Sequence, residues 1–358
     1  MKALVLCGGS GTRLRPLSHS MPKQLIPVAN RPVLIQVVEN LRALGVEDIG
    51  VIVGGHRDEI EAVLGDGGAL GARITYIPQE APLGLAHCVR LARDFLGDDD
   101  FVLYLGDTVL IDGITALADA FLAHRPAAQV VVHKVADPRA FGVVETDGAG
   151  RAVRLTEKPA QPRSDLAVVG VYFFTAAIHE AVDAVTPSAR GELEITDAVQ
   201  WLVDHGREVR VHTHAGFWRD TGKVEDVLEC NRELLETMTT RISGEVDAAS
   251  ELIGQVVVEE GARVVRSRIV GPAIIGAGAL VRDSHVGPHT SVGAGCTLDA
   301  AGIADSILLA GSSVQQVLGV HGSVIGRDAA VGRALGVDAA VRRHRLVVGD
   351  HTRVEFAA

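Results

Sequence analysis

Apolar residues change their spacing along this chain, and the change divides it in two. Ala3 to Cys7 is an unbroken apolar run, the pattern of a central strand buried on both faces. Leu34, Val37, Val38, Leu41 and Leu44 then recur at helical spacing, with Gly45 placed to stop the helix. Val51 to Val53 reads as a strand, 58–64 as a helix and Ile74 to Ile77 as a strand. A helix over 84–96 follows, with Leu85, Cys88, Val89, Ala92 and Phe95 on one face, and Phe101 to Leu105 is another buried strand. Further strands are expected at Phe141 to Glu145, Val153 to Glu157, Val209 to Thr213, Val130 to Val135 and Val168 to Phe174, with helices over 192–205 and 224–238. Alternating strands and helices predict an α/β fold, Rossmann-like, with a mostly parallel central sheet over residues 1–240. Ligands gather at the carboxyl ends of such strands, where Gly8 and Asp107 both fall.

After residue 250 the period becomes six. Ile269, Ile275 and Val281 keep that interval, Val286, Val292 and Leu298 repeat it, and glycines follow the aliphatics at Gly276, Gly287, Gly293, Gly326 and Gly332. The pattern resembles a left-handed parallel β-helix, in which each side of a triangular coil supplies one repeat and the stacked aliphatics form one core. This domain is expected over 241–358.

The first strand leads into Leu6-Cys7-Gly8-Gly9-Ser10-Gly11-Thr12-Arg13-Leu14-Arg15-Pro16, and Pro22-Lys23-Gln24-Leu25-Ile26-Pro27-Val28 follows closely. Glycines let backbone N–H groups approach phosphate oxygens, while Arg13 adds a planar fork of donors and Lys23 a mobile charge. Such a loop alone also describes an ordinary tight turn. Neither G-x-x-x-x-G-K-[ST] nor G-x-G-x-x-G is present, so this is neither a P-loop nor a dinucleotide fingerprint.

Six further blocks follow in order: Pro78-Gln79-Glu80-Ala81-Pro82-Leu83-Gly84-Leu85-Ala86, Tyr104-Leu105-Gly106-Asp107, Phe141-Gly142-Val143, Glu157-Lys158-Pro159, Gly191-Glu192-Leu193-Glu194-Ile195-Thr196-Asp197 and Trp218-Arg219-Asp220-Thr221-Gly222. Over roughly the first 235 residues the chain thus resembles the sugar-phosphate nucleotidylyltransferases, most closely the glucose-1-phosphate thymidylyltransferases. Lys23 followed by Gln24 resembles the thymidylyl branch. The periodic tail is similar to the C-terminal domain of the long thymidylyltransferases, including those of deoxysugar pathways in actinobacterial secondary metabolism.

Composition narrows the setting. The 358 residues are 47% hydrophobic and 4% aromatic, enough for sizeable cores built mainly from small and β-branched side chains. A formal charge of −11 argues against a nucleic-acid surface but leaves room for a local cationic pocket that takes a phosphate. Cys7, Cys88, Cys230 and Cys296 have no metal-ligand spacing and read as buried free thiols of a reducing compartment. The chain opens on a core strand rather than a leader, and no apolar run is long enough for a bilayer, so a cytoplasmic enzyme is expected.

The resemblance implies transfer of a thymidylyl group from dTTP to glucose 1-phosphate, giving dTDP-glucose and pyrophosphate with Mg²⁺ as cofactor. It assigns Asp107 and Asp220 to the metal, although either aspartate alone also reads as a turn residue. Arg13, Lys23, Asp107, Lys158 and Asp220 would be the catalytic set, with the two N-terminal cations on the triphosphate and Lys158 on the sugar phosphate, assisted by Arg190. Leu6, Gly8, Gly9, Gly11 and Thr12 would hold the nucleotide with Gln24, and Gln79 and Gly84 would read the thymine edge. Thr108, Gly142, Glu157, Val168, Arg190, Glu192 and Trp218 would surround the sugar, though a structural role suits a lone tryptophan nearly as well. A homo-oligomer held together by the tail is expected.

Two residues depart from the family pattern. Thr108 stands where asparagine is usual after Leu-Gly-Asp, and Arg31 where lysine is usual before proline. Both bear on the sugar more than on the reaction. The alternatives are a uridylyltransferase, a bifunctional nucleotidyl and acetyltransferase using His285, His289 or His321 as base, and a non-enzymatic sensor of sugar nucleotides.

Overall fold

The computed structural model describes residues 1–9, 11–333 and 343–356, so Ser10 of the glycine loop and the last two residues of the tail lie outside the described residues. Packing groups the chain into two compact units. One comprises Met1–Gly9 and Leu34–Asp220, the other Ser10–Val33 and Thr221–Ala358. The coils of the second unit begin at Arg241–Ile242. The segment after the glycine loop and the helix Val224–Glu236 group with those coils.

The first unit is built on a nine-stranded sheet. Its strands are β1 (Lys2–Leu6), β2 (Asp48–Val53), β3 (Arg73–Pro78), β4 (Phe101–Leu105), β5 (Ala128–Lys134), β6 (Gly142–Thr146), β7 (Ala152–Glu157), β8 (Leu166–Phe174) and β9 (Val209–Thr213). The order β7-β6-β8-β4-β1-β2-β3 forms the main path, with β5 joined to β8 and β9 joined to β5. β4, β1, β2 and β3 run parallel; the apolar runs of β4, β1 and β2 suit strands covered on both faces, whereas β3, at the end of the path, is partly exposed. β8 turns the sheet antiparallel, pairing that way with β4, β5 and β6. Phe101, Leu103, Val130, Tyr172 and Phe174 are among its core residues.

The helices expected from the apolar spacing are present with shifted ends, and Thr115–His124 and Ile178–Ala184 are helices that the spacing did not predict. The expected helix over 84–96 divides at Ala92 into Leu85–Leu91 and Arg93–Leu96. The helix expected from 192 begins at Ile195, because Glu194 is extended and acts as its N-cap residue. Glu192 therefore belongs to the preceding loop.

The second unit is a left-handed parallel β-helix. Ile269, Val286, Ile303 and Val320 stack directly, which makes the coil 17 residues long on that ladder. Three equal six-residue sides would make 18. The missing residue is lost at one corner: Val281 and Val286, both fully buried, are five positions apart. Asp283 turns that corner with a left-handed φ of 48°, and Arg266 and Ala300 do the same on adjacent coils at 45° and 50°. Short buried serines make the tight corner possible. Ser284 Oγ accepts the amide of Ala301 at 3.0 Å, and Ser267 Oγ accepts that of Ser284 at 3.1 Å. Backbone donors the shortened side cannot pair are thus satisfied from the next coil.

Candidate active site

Four strand ends assemble the first unit's site. After β1, the amide of Gly106 donates to Leu6 O at 2.9 Å, holding the Leu-Gly-Asp turn against the glycine loop's first residues. Asp107 is buried there. Thr108–Leu110 then forms a two-stranded antiparallel ribbon with Trp218–Asp220, in which Asp220 faces Thr108 and Trp218 faces Leu110. Residues from distant parts of the sequence are thereby neighbours across one ribbon. Asn40 steadies it by donating to Leu110 O and to the Tyr104 hydroxyl, each at 3.2 Å. The sequence pattern gave no signal for this ribbon, since three residues are too few to show alternation.

The departure at Thr108 has a definite geometry. The residue is 2% exposed, and its hydroxyl donates to Val169 O at 3.3 Å. The same carbonyl accepts the Trp218 indole N–H at 3.1 Å. Trp218 is buried, with the Phe141 ring set edge-on at 5.2 Å.

Gln79, at the end of the chain segment leaving β3, stands beside the glycine loop: a Cβ at Gly8 would lie 3.4 Å from Gln79 Oε1. Its amide nitrogen is 3.1 Å from His87 Nδ1 and 3.2 Å from Cys88 Sγ. Burial lowers the pKa of His87 and pushes the Cys88 thiol up to about 12, so this thiol is a neutral packing group and no nucleophile. Gly84 lies close by with φ 103°, and a Cβ there would come within 2.6 Å of Leu193 N. Only glycine fits, because the 83–86 backbone exchanges hydrogen bonds with Leu193 on both sides.

The hairpin of β6 and β7 sets Gly142 opposite Glu157. Lys158 follows with a left-handed φ of 39°, its amide held by Phe141 O at 3.0 Å. Lys158 Nζ is 3.5 Å from Glu157 Oε1, and Arg190 Nη1 approaches the same oxygen at 3.3 Å. Arg190 also pairs with Glu192 at 3.0 Å and Glu194 at 3.3 Å. Lys158, Arg190, Glu157 and Glu194 line a cavity of about 720 Å³. Val168 borders Gly142, since a Cβ on that glycine would lie 3.4 Å from Val168 Cγ2 and 3.3 Å from Glu157 Oε2.

Two members of this cluster had no assigned role in the sequence reading. Thr196 donates to Glu157 Oε2 at 3.2 Å, and Glu194, with a side chain 5% exposed, also accepts from Ser188 at 2.9 Å. Both lie in the Gly191 to Asp197 block, whose signal was recognised only at Glu192. Burial raises the pKa of Glu194 and of Asp197, and the Glu157 charge adds to both.

In the second unit, Arg13 lies in the short 3₁₀ turn Thr12–Leu14 and Lys23 and Gln24 in Lys23–Leu25. Gly11 caps the first turn with φ 57°. Ser18 Oγ donates to Gly11 O at 2.7 Å, folding the glycine loop back on the arm that carries both cations. Among the histidines of the coils, His289 pairs with Glu236 at 2.8 Å, His321 lies 3.9 Å from Asp305, and His285 is exposed. Gln24 is buried and Arg31 exposed. Among the described residues, no group of three or more His, Cys, Asp or Glu side chains is arranged to hold a metal, and no helix is long and apolar enough to cross a membrane.

Comparison with known proteins places this architecture. A glucose-1-phosphate thymidylyltransferase of Streptomyces griseus is 57% identical over 268 residues, covering 75% of this chain and 76% of its own length. A protein of the same name from Streptomyces antibioticus is 55% identical over 269 residues, with the same coverage. Among solved structures, a putative glucose-1-phosphate thymidylyltransferase from Bacillus anthracis superposes with a TM-score of 0.62 at 32% identity, covering 67% of this chain and 97% of that one. Residues 2–237 match the family described as nucleotidyl transferase, and with relatives this similar over three quarters of its length, the chain belongs to that family.

Proposed function

We propose that this protein is a glucose-1-phosphate thymidylyltransferase, joining dTTP and glucose 1-phosphate into dTDP-glucose with release of pyrophosphate. The observation that carries the reading is the ribbon pairing of Asp220 with Thr108, the residue after Asp107. One carboxylate on the ribbon and another just before it suit Mg²⁺, which takes one or two carboxylates and completes its shell with water and substrate phosphates, with no need of an all-protein cage. Asp107 and Asp220 would hold it. When bound, the ion supplies positive charge at the reacting phosphates.

The residues of the chain do the rest. A phosphate oxygen of glucose 1-phosphate attacks the α-phosphorus of dTTP as pyrophosphate departs in line. That oxygen is already ionised, so positioning and charge neutralisation dominate over base catalysis. Lys158 and Arg190, on the cavity that Glu157 also lines, would orient the sugar phosphate; Arg190 would exchange carboxylate partners for it. Arg13 and Lys23 would stabilise the charge that accumulates on the leaving pyrophosphate, with Leu6, Gly8, Gly9, Gly11 and Thr12 along the triphosphate. Gln79 and Gly84 would read the base, Gln24 the deoxyribose, and Glu157, Gly142, Val168 and Glu192 the sugar. Thr108, engaged with Val169 O, would leave the hexose less restrained than an asparagine amide.

The test is direct. Folded protein with dTTP, glucose 1-phosphate and Mg²⁺ should release pyrophosphate and form dTDP-glucose, and no product across pH 6–9 would end the reading. The base of UTP lacks only the thymine methyl, a difference a pocket resolves by about 10- to 200-fold at best, and UTP adds a ribose 2′-hydroxyl, so a slower reaction with UTP is expected. The product would feed deoxysugar formation in the cytoplasm, and the subunits would form a homo-oligomer through the tail. Light scattering of the full-length protein checks the last point, with a monomeric mass against it.

A further inference from the structure

The last coil of the β-helix grips the arm that carries Arg13 and Lys23. Asp350 Oδ2 accepts the Ser20 hydroxyl at 2.8 Å, and Arg327 Nη2 donates to Ser20 O at 2.8 Å. Ser20 is thus held through both its hydroxyl and its carbonyl oxygen, three residues before Lys23. The clasp is itself tied together: Asp350 accepts the Arg327 amide and Nε, both at 2.7 Å. Its carboxylate is only 2% exposed, so every lone pair used here is withdrawn from water.

The grip continues along the arm. A Cβ at Gly349 would lie 3.2 Å from Pro16 Cβ, which brings the coil's backbone against the turn before Leu17. At the arm's far end, Asn30 Nδ2 donates to Val292 O at 2.8 Å. Asn231 of the helix Val224–Glu236 accepts the Ala29 amide at 2.9 Å and donates to His289 O at 3.1 Å. Between these anchors stand the two cations and the Ser18 contact to Gly11. Leu14, Leu17, Leu25 and Ile26 bury the arm's apolar side, while Arg13, His19 and Ser20 lie on exposed turns; any conformational freedom left in those turns must be given up on nucleotide binding.

We infer that Asp350, with Arg327 and Ser20, is a positioning element for the triphosphate: the β-helix presets the phosphate arm. This rests on reading the arm as the triphosphate contact. It gives the tail a part in nucleotide recognition, although no tail residue is asked to touch substrate.

Kinetics separate this from a purely structural role. Ser20→Ala removes one hydroxyl from an exposed turn and should raise the KM for dTTP about tenfold, with the KM for glucose 1-phosphate within twofold. Ser20→Thr keeps the hydroxyl and should restore most of the dTTP affinity. Asp350→Ala should show a larger effect of the same kind, and Arg282→Ala, which breaks the comparable Arg282–Asp299 pair elsewhere on the coils, should leave both constants unchanged. Thermal melts establish that each variant is folded; if Asp350→Ala is not, the two serine variants decide. A dTTP KM unaltered in folded Ser20→Ala, or equally raised constants for both substrates, would overturn the inference. Arg13→Ala distinguishes the underlying reading: if it too leaves the dTTP KM unchanged, the arm is not the triphosphate contact, whereas a raised constant there with a silent Ser20→Ala refutes the positioning role alone.

Discussion

Asp220 sits opposite Thr108 in a ribbon of three residue pairs, one position from the buried Asp107. Opposed residues in an antiparallel pair have Cα atoms about 4.5–5.5 Å apart. The ribbon therefore delivers a carboxylate from late in the unit to the end of a central strand, beside the residue that follows Asp107.

Asp220→Asn should test that pairing. The amide has nearly the carboxylate's volume and none of its charge, so the fold should persist while turnover falls on the order of 100-fold, the usual scale for losing one electrostatic stabiliser. Raising Mg²⁺ should recover part of the loss. Pyrophosphate release measured over a magnesium titration would show this, and wild-type rates at limiting Mg²⁺ would remove Asp220 from the metal site.

Lys158→Ala should separate the two substrates. Its ammonium shares Glu157 with Arg190 at the cavity. Losing a charge-assisted contact of about 1.5–3 kcal/mol predicts a 10- to 100-fold higher KM for glucose 1-phosphate and a smaller change for dTTP. The opposite ranking in steady-state kinetics would move Lys158 to the nucleotide.

Gly84→Ala should damage the fold first. A left-handed φ of 103° strains any side chain, and the added methyl would overlap the Leu193 backbone. The conformational part alone costs about 1–3 kcal/mol. Denaturant unfolding should show at least that loss, and an unchanged midpoint would mean the 83–86 segment can move without cost.

Asp197→Asn should change how stability depends on pH. Burial, then the Glu157 charge, raises this carboxyl above its reference value of 3.8. The folded protein therefore holds the proton more tightly than the unfolded chain. Its favourable contribution is complete below the reference value and is lost as pH rises through the raised one. The asparagine variant should melt higher than the parent at pH 7, with the gap closing toward pH 4; a gap that widens on acidification would contradict the sign.

The alternation of apolar runs and helical stripes made the parallel core of the sheet legible, and the six-residue period did the same for the coils. Both are properties of neighbours in sequence. What stayed hidden depends on partners far away. The 17-residue coil follows from serines bonding across coils, and the helix expected at 192 starts later because Glu194 is extended and hydrogen-bonded to Ser188. Motifs exposed Gly84, Asp107, Glu157 and Lys158 because a fixed spacing surrounds each. Ser20 and Asp350, 330 positions apart, share no local pattern at all, and only the folded chain joins them.

The arm that carries Arg13 and Lys23 also fixes how many coils lie between its two fastenings. Stacked repeats interact mainly with their neighbours, so a coil could be gained or lost with little harm to the others. Here the arm is fastened at Val292 and again at Asp350, and the ladder between those fasteners runs Val292, Leu308, Ile325, Val348. Three strand spacings of about 4.8 Å make a span of about 14 Å. Deleting one coil would carry Asp350 about 4.8 Å from its place beside Ser20, beyond any hydrogen bond. The β-helix is in this respect a ruler cut to the length of the arm, and variation in repeat number, cheap elsewhere in such folds, is closed to the stretch between the two fastenings.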